Sequence, residues 1–181
     1  MGRAAESRGV MVAHYLWGPF ARFGLLVAAV VCALDQAAKL WLLFGYDLAN
    51  KGVVAVLPFI DFVLVWNRGI SYGLFQQESE TGQWILFALK LAAVALLWVW
   101  LARAASRLTA LGLGLIIGGA LGNAIDRLLH GAVVDFVLFH IRTASFSFNW
   151  YVFNLADVAI VAGVVGLLYE SLIGERAVKA P

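Results

Sequence analysis

Two aspartates stand in apolar surroundings of a 181-residue chain that is 63% hydrophobic and 13% charged. Asp135 lies in Val133-Val134-Asp135-Phe136, and Asp157 lies in Phe153-Asn154-Leu155-Ala156-Asp157. Carboxylates are costly at or near a bilayer and rarely persist there without a role. One reading is that each pairs with a nearby basic residue. The other is that they lie close together. Two such carboxyls cannot both ionise easily, so one holds a proton and the other does not, as in aspartic proteases. The other polar residues decide how much weight the second reading bears.

Those residues fall at a common depth. Asp35 and Lys39 are four apart and share a helix face, where a mutual salt bridge lets both tolerate the site. Gly114, Gly118 and Gly122 form a stripe that admits a neighbouring helix. The stripe runs into Asn123, Asp126 and Arg127, which share one face and need buried partners. Asn154 and Asp157 are three apart on another face. Asp35, Asn123, Asp126, Asp135, Asn154 and Asp157 can therefore gather at one surface of the membrane.

Other chemistries fit less well. Gly69-Ile70-Ser71-Tyr72-Gly73 matches the short Gly-x-Ser-x-Gly pattern, but without the strand-to-helix setting of a hydrolase elbow. His14, His130 and His140 make no zinc-ligand spacing, and His130 and His140 read as ordinary interfacial histidines. Cys32 is single, so it has no intrachain disulfide partner and reads as a small apolar packing residue. No metal or other cofactor is called for.

The elements that must position these groups are four apolar stretches, roughly 22–45, 84–102, 108–128 and 154–174. Each approaches the ~20 residues a helix needs to cross a bilayer. The first can also be read as a cleaved signal peptide, but the helical pattern runs on through Asp35, Lys39 and Trp41 with no clean cleavage site. The expected fold is an all-α membrane protein of four transmembrane helices with a small extracytoplasmic β-sheet and a short interfacial helix. Residues 1–21 form an N-terminal extension, 22–174 the membrane domain and 175–181 a tail. Arg3, Arg8, Arg22, Arg103, Arg107, Arg176 and Lys179 all fall on one side of four spans, which places both termini in the cytoplasm. The net charge is only +2 and the basic residues lie at membrane edges, which argues against a nucleic-acid partner. The β-branched and aromatic runs Val53 to Val65 and Val133 to Phe139, with the alternating Ser145 to Phe148, predict the strands. Tyr72 to Gln83 reads as a short interfacial helix or a flap. No internal repeat is visible.

Five blocks carry a family resemblance. They are Asp35-Gln36-Ala37-Ala38-Lys39, Asn67-Arg68-Gly69-Ile70-Ser71-Tyr72-Gly73, Gly118 to Arg127, Val133-Val134-Asp135-Phe136 and Phe153-Asn154-Leu155-Ala156-Asp157. In this order and with these spans, the chain resembles the lipoprotein signal peptidases, or signal peptidase II, of bacterial inner membranes. The likeness covers about residues 22–174, and Tyr72 stands where Phe is expected. It implies that Asp135 and Asp157 are a catalytic dyad. It implies that Asp35, Lys39, Asn67, Gly69, Asn123, Asp126, Arg127, Asn154 and Ala156 line or support the site. It further implies an outer β-cradle, diacylglyceryl-prolipoprotein substrates cut just before the lipidated cysteine, membrane lipid as the medium, and a monomer with its site towards the outer face. The competing class is a small proton-coupled transporter or ion-binding membrane protein, which also keeps carboxylates in a bilayer but calls for broken helices near the midplane.

Overall fold

Long apolar runs leave the backbone one way to satisfy its own polar groups in lipid, which is the helix. The computed structural model describes residues 17–69 and 80–179. Its long helices are α1 (Ala21–Leu40), α2 (Glu80–Leu101), α3 (Arg107–His130) and α4 (Leu155–Lys179). A π-helical turn, Trp41–Gly45, extends α1, and a single helical turn follows at Leu48–Lys51. Among the described residues, three helices are long and apolar enough to cross a membrane, namely Ala21–Gly45, Arg107–His130 and Leu155–Leu172; α2 adds a shorter apolar run, Phe87–Leu101. The segment expected as an interfacial helix or flap lies mostly outside the described residues.

Helix α3 is the centre of the packing, and glycine explains why. A methyl added at Gly118 would lie 2.6 Å from the Ala28 carbonyl oxygen of α1, and one at Gly114 would lie 2.6 Å from that of Gly24. These backbones pack closer than any side chain permits, which in lipid replaces the missing hydrophobic drive with dense van der Waals contact. A second small face, which the four-residue stripe does not reveal, meets α4. There a methyl at Gly119 would lie 2.5 Å from the Ala156 carbonyl oxygen. So α3 docks α1 and α4 on two sides at once. Its start is capped by Ser106, whose side chain accepts from Thr109 N, and its end by Gly131 at φ 66°. Glu170 of α4 accepts from both Ser106 and Thr109, which ties the helix ends farthest from the sheet.

The sheet is a four-stranded antiparallel meander, β1 (Val54–Leu57), β2 (Ile60–Asn67), β3 (Val133–Arg142) and β4 (Ser147–Phe153), in the order β1-β2-β3-β4. Phe136, Phe62 and Val137 of the sheet pack with Leu42 and Leu48, just past the end of α1. The first predicted run, Val53 to Val65, is split by a turn at Pro58 and Phe59 into β1 and β2, and the second, Val133 to Phe139, falls within β3. The third begins later, at Ser147, because Thr143 and Phe146 close the hairpin turn: Thr143 N donates to Phe146 O at 2.8 Å, and Phe146 N to Thr143 Oγ1 at 3.0 Å. A register shift between Phe62 and Val65 sets Asp135 opposite Val65, and Asn67 opposite Val133. That pairing carries Asn67 and Asp135 to the same end of the sheet. β4 then runs directly into the start of α4, so Asn154 and Asp157 arrive there too.

Candidate active site

Asn154 is the knot of the site. It precedes α4, and its Oδ1 accepts from Asp157 N at 3.0 Å while Asp157 Oδ2 accepts from Asn154 N at 3.3 Å. This is the reciprocal capping expected of an Asn-x-x-Asp start. The Asn154 amide then donates to Asp135 Oδ1 at 2.7 Å and to Asn123 Oδ1 at 3.0 Å. Asn123 Nδ2 donates to Asp157 Oδ1 at 3.0 Å. Asn67 Nδ2 donates to the other oxygen of Asp135 at 3.0 Å. Asp135 and Asp157 are thus joined through two asparagines, one from α3 and one from the start of α4.

Beneath them lies a charged frame. Lys39 Nζ sits 2.7 Å from Asp35 Oδ2, 2.7 Å from Asp126 Oδ2 and 3.0 Å from Asn123 Oδ1. The expected Asp35–Lys39 pair is present, and Asp126 makes it a triad. Asp35 Oδ1 also accepts from Ala156 N at 2.9 Å, which pins the first turn of α4 to α1. Asp126 accepts from Gln36 Nε2 at 2.7 Å and from Val134 N at 3.1 Å, which pins β3. Gly122 leaves room for this: a methyl there would lie 2.5 Å from Asp35 Oδ2. Arg127 donates to the carbonyl of Gly69, whose own N–H donates to Asn67 Oδ1 at 2.9 Å. All nine supporting residues therefore belong to one connected network with the two aspartates. Asp35, Lys39, Asp126, Asp135 and Asn154 are each 2% exposed or less.

A cavity of about 640 Å³ opens from this network. Asn67, Asp135 and Asp157 supply its polar end, and Trp150, Val161 and Val165 are part of its apolar wall. The wall descends α4 from Val158 to Val165, about 10 Å of helix. The geometry suits an extended polar backbone held at the aspartates with an apolar chain alongside α4. Burial is the main reason the Asp135 carboxyl is pushed up to about 7. Its amide donors from Asn67 and Asn154 and the charge of Lys39 pull the other way, and the nearby Asp157 adds to the rise. Among the described residues no cluster of His, Cys, Asp and Glu is arranged to hold a metal ion.

Two polar features escape a reading centred on the motif aspartates. Asp61 and His140 are both buried in the sheet, with His140 Nε2 3.1 Å from Asp61 Oδ1, so His140 packs as the partner of Asp61. Lys90 is the lone charge between Glu80 and Arg103. That isolation is itself a signal. It is half-buried and within electrostatic reach of Arg127, Asp157, Lys39 and Asp135.

Apolar helices gathered under a small antiparallel sheet, with paired carboxyls at a cavity, define a multi-pass membrane enzyme. The comparisons narrow this. A family model described as signal peptidase (SPase) II matches residues 27–173. A lipoprotein signal peptidase of Rhodopseudomonas palustris (strain TIE-1) is 61% identical over 160 residues, covering 88% of this chain and 98% of that protein. One of Methylorubrum extorquens (strain PA1) is 60% identical over 160 residues, covering 88% and 90%. Two solved bacterial membrane enzyme structures superpose with TM-scores of 0.66 and 0.61. They are 26% and 27% identical and cover 87% and 88% of this chain, and 92% and 97% of their own. The chain belongs to the signal peptidase II family and is a peptidase. The transporter reading has no comparable support.

Proposed function

We propose that the chain is an intramembrane aspartic endopeptidase that removes signal peptides from diacylglyceryl-modified prolipoproteins, cutting just before the lipidated cysteine. The observation that carries this reading is the placement of Asp135 and Asp157 at one cavity, linked through Asn154 and Asn123. In this reading the four long helices all span the bacterial inner membrane, residues 22–174 form the peptidase domain, both termini are cytoplasmic, and the site and sheet face outward. The protein acts as a monomer, without metal.

Asp135, raised to about 7, starts with the proton. Asp157, in the first turn of α4, is the partner that acts as the base. Asp157 takes a proton from water as the water oxygen attacks the scissile carbonyl carbon. Asp135 gives its proton to the carbonyl oxygen. The tetrahedral intermediate collapses when Asp157 returns its proton to the departing cysteine nitrogen and Asp135 recovers one from the hydroxyl, so protons balance over the cycle. The scissile segment must be extended, because a helical carbonyl is already hydrogen-bonded. The α4 wall takes an apolar chain of the substrate.

The test uses one peptide in two forms, with and without the diacylglyceryl group, at matched membrane-bound concentration. Partition into the bilayer is then equal, so a rate difference reports positioning at the site. Efficient cleavage of the lipidated form and little cleavage of the plain form is expected. Equal rates would remove the lipoprotein specificity. Strong chelators should leave the rate unchanged; loss reversed by zinc would contradict the mechanism.

A further inference from the structure

Three groups at the site can only donate, and each meets an asparagine. Lys39 Nζ lies 3.0 Å from one end of the Asn123 amide, Asp157 N lies 3.0 Å from one end of the Asn154 amide, and Gly69 N lies 2.9 Å from one end of the Asn67 amide. An ammonium and a backbone N–H offer no lone pair, so each of those ends is the amide oxygen. The way round of all three asparagines is thereby fixed, and each turns its nitrogen to the acid pair.

The hydrogen bonds at the pair consequently run in one direction. Asn154 and Asn67 donate to the two oxygens of Asp135 at 2.7 and 3.0 Å, and Asn123 donates to Asp157 Oδ1 at 3.0 Å. The backbone N–H of Asn154 reaches Asp157 Oδ2 at 3.3 Å. All four oxygens of the pair accept from the protein, and among the described residues no hydrogen bond leads away from either carboxyl. A proton on the pair is left the lone pairs that point away from the asparagines, and both acids line the cavity.

Two of the three anchors are backbone groups. The third, Lys39, is a buried side chain from α1. Asn154 Nδ2 also donates to Asn123 Oδ1, at 3.0 Å, but that bond is neutral; the bond from the ammonium is charge-assisted and is the stronger hold. Without the ammonium, a turned Asn123 presents its oxygen to Asp157. An amide oxygen there accepts from a protonated carboxyl and offers nothing to a carboxylate, which works against Asp157 as the base. We propose that Lys39 is a positioning residue: by holding the Asn123 oxygen it keeps the Asn123 nitrogen on Asp157, so that the proton of the pair faces the cavity. This rests on the aspartic reading above.

Lys39→Met alone strands two buried carboxylates, Asp35 and Asp126, so the test balances charge. Lys39→Met with Asp35→Asn removes one positive and one negative charge, and leaves Asp126 its bonds from Gln36 and Val134. Asp35→Asn alone is the reference. Each purified protein is checked for thermal unfolding in one detergent, and kcat and KM are measured with a lipidated peptide. Adding Lys39→Met to the reference should lower kcat about tenfold, with KM within about threefold. The same step in an Asn123→Leu background should change kcat by less than about threefold, because the amide it acts through is gone. A kcat equal to that of the reference, or an undiminished loss in the Asn123→Leu background, would overturn the proposal. A second measurement does not depend on turnover. In side-chain amide NMR, the Asn123 signals are those missing from Asn123→Leu. In the wild type one Asn123 proton should lie downfield, as a donor to a carboxylate does; an ordinary position overturns the proposal even if no variant at Lys39 folds. The downfield signal should weaken when Lys39→Met joins Asp35→Asn, and its full retention counts against the anchor. The two readings separate. Inactive Asp135→Asn and Asp157→Asn with an unresponsive Asn123 signal keeps the dyad and removes the role of Lys39. Active Asn variants with a responsive signal remove the dyad and keep the anchor.

Discussion

Asp61 and Asp135 are buried aspartates on neighbouring strands, 3% and 2% exposed, yet they are kept in different company. Asp61 is given basic partners: His140 Nε2 at 3.1 Å and Arg142 at 3.8 Å. Asp135 is given amides, Asn67 at 3.0 Å and Asn154 at 2.7 Å, and among the described residues no cation within 4 Å. The basic side chains anchor Asp61 within the sheet. Neutral donors orient the group and leave its proton to be set by burial and by the neighbouring Asp157. One arrangement holds a sheet together; the other leaves a carboxyl free to exchange a proton at a cavity.

The largest expected effects break this comparison directly. Asp135→Asn and Asp157→Asn should each lower kcat at least about 10³-fold in folded, inserted protein, because Asn has nearly the same size but cannot act as acid or base. Asp61→Asn should leave kcat within about threefold, since it touches no part of the cavity wall. If Asp61→Asn abolished turnover of a lipidated peptide and Asp135→Asn did not, the roles assigned to the two strands would be reversed.

A smaller effect belongs to the knot. Asn154→Ala removes the donor to Asp135 and the cap of α4 together. A lost hydrogen bond to a charged or charge-sharing group corresponds to about a 10–100-fold change, here expected in kcat more than in KM. A rise in KM with unchanged kcat would show that Asn154 binds substrate and does not orient the pair.

Next in size is a change one layer below. Gly122→Ala puts a methyl 2.5 Å from Asp35 Oδ2, the carboxylate whose other oxygen holds the start of α4. The clash should cost about 1–3 kcal/mol of stability and lower turnover by loosening Asp157. Gly166→Ala on α4 meets nothing within 4 Å and serves as the control. Equal melting temperatures for the two variants would show that Asp35 relaxes without loss.

How legible this was in the sequence differs by region. Three of the four expected spans were readable because a bilayer demands long apolar runs; the other, 84–102, corresponds to the shorter apolar run Phe87–Leu101. The Asp35–Lys39 pair followed from helical periodicity. The role of Asn67 was not readable from spacing: it sits far along the chain from Asp135, and only the strand pairing after the shift between Phe62 and Val65 brings them together. Its inclusion came from the family resemblance. Ala156 was likewise hidden, because its contribution is a backbone N–H and carries no side-chain signal. The second glycine face of α3 escaped because Gly112 and Gly119 recur at seven residues, which a four-residue stripe does not flag. Lys90 stands in the sequence as a lone charge in its helix, but nothing there says which neighbours it meets.

The smallest effect is a matter of stability, and it turns on linkage. Asp135 has an unfolded value near 4 and a folded value of about 7. Below pH 4 both states carry the proton and the group contributes nothing. As pH rises from about 4 to 7 the unfolded chain gives up the proton and the folded protein keeps it, so stability falls. Above about 7 the cost is constant. Asn at this position cannot titrate. It also turns an N–H towards either Asn67 or Asn154, which adds a penalty that does not vary with pH. The sign of the difference at any one pH therefore decides little, and the slope decides much. The melting temperature of Asp135→Asn minus that of wild type, in one detergent, should climb by a few degrees between pH 4 and 7 and then level off. Asp61→Asn, which gives up its contacts with His140 and Arg142, should melt below wild type at pH 7. A flat difference for Asp135→Asn would mean that Asp135 is ionised throughout, and the contrast between the two strands would lose its chemical meaning.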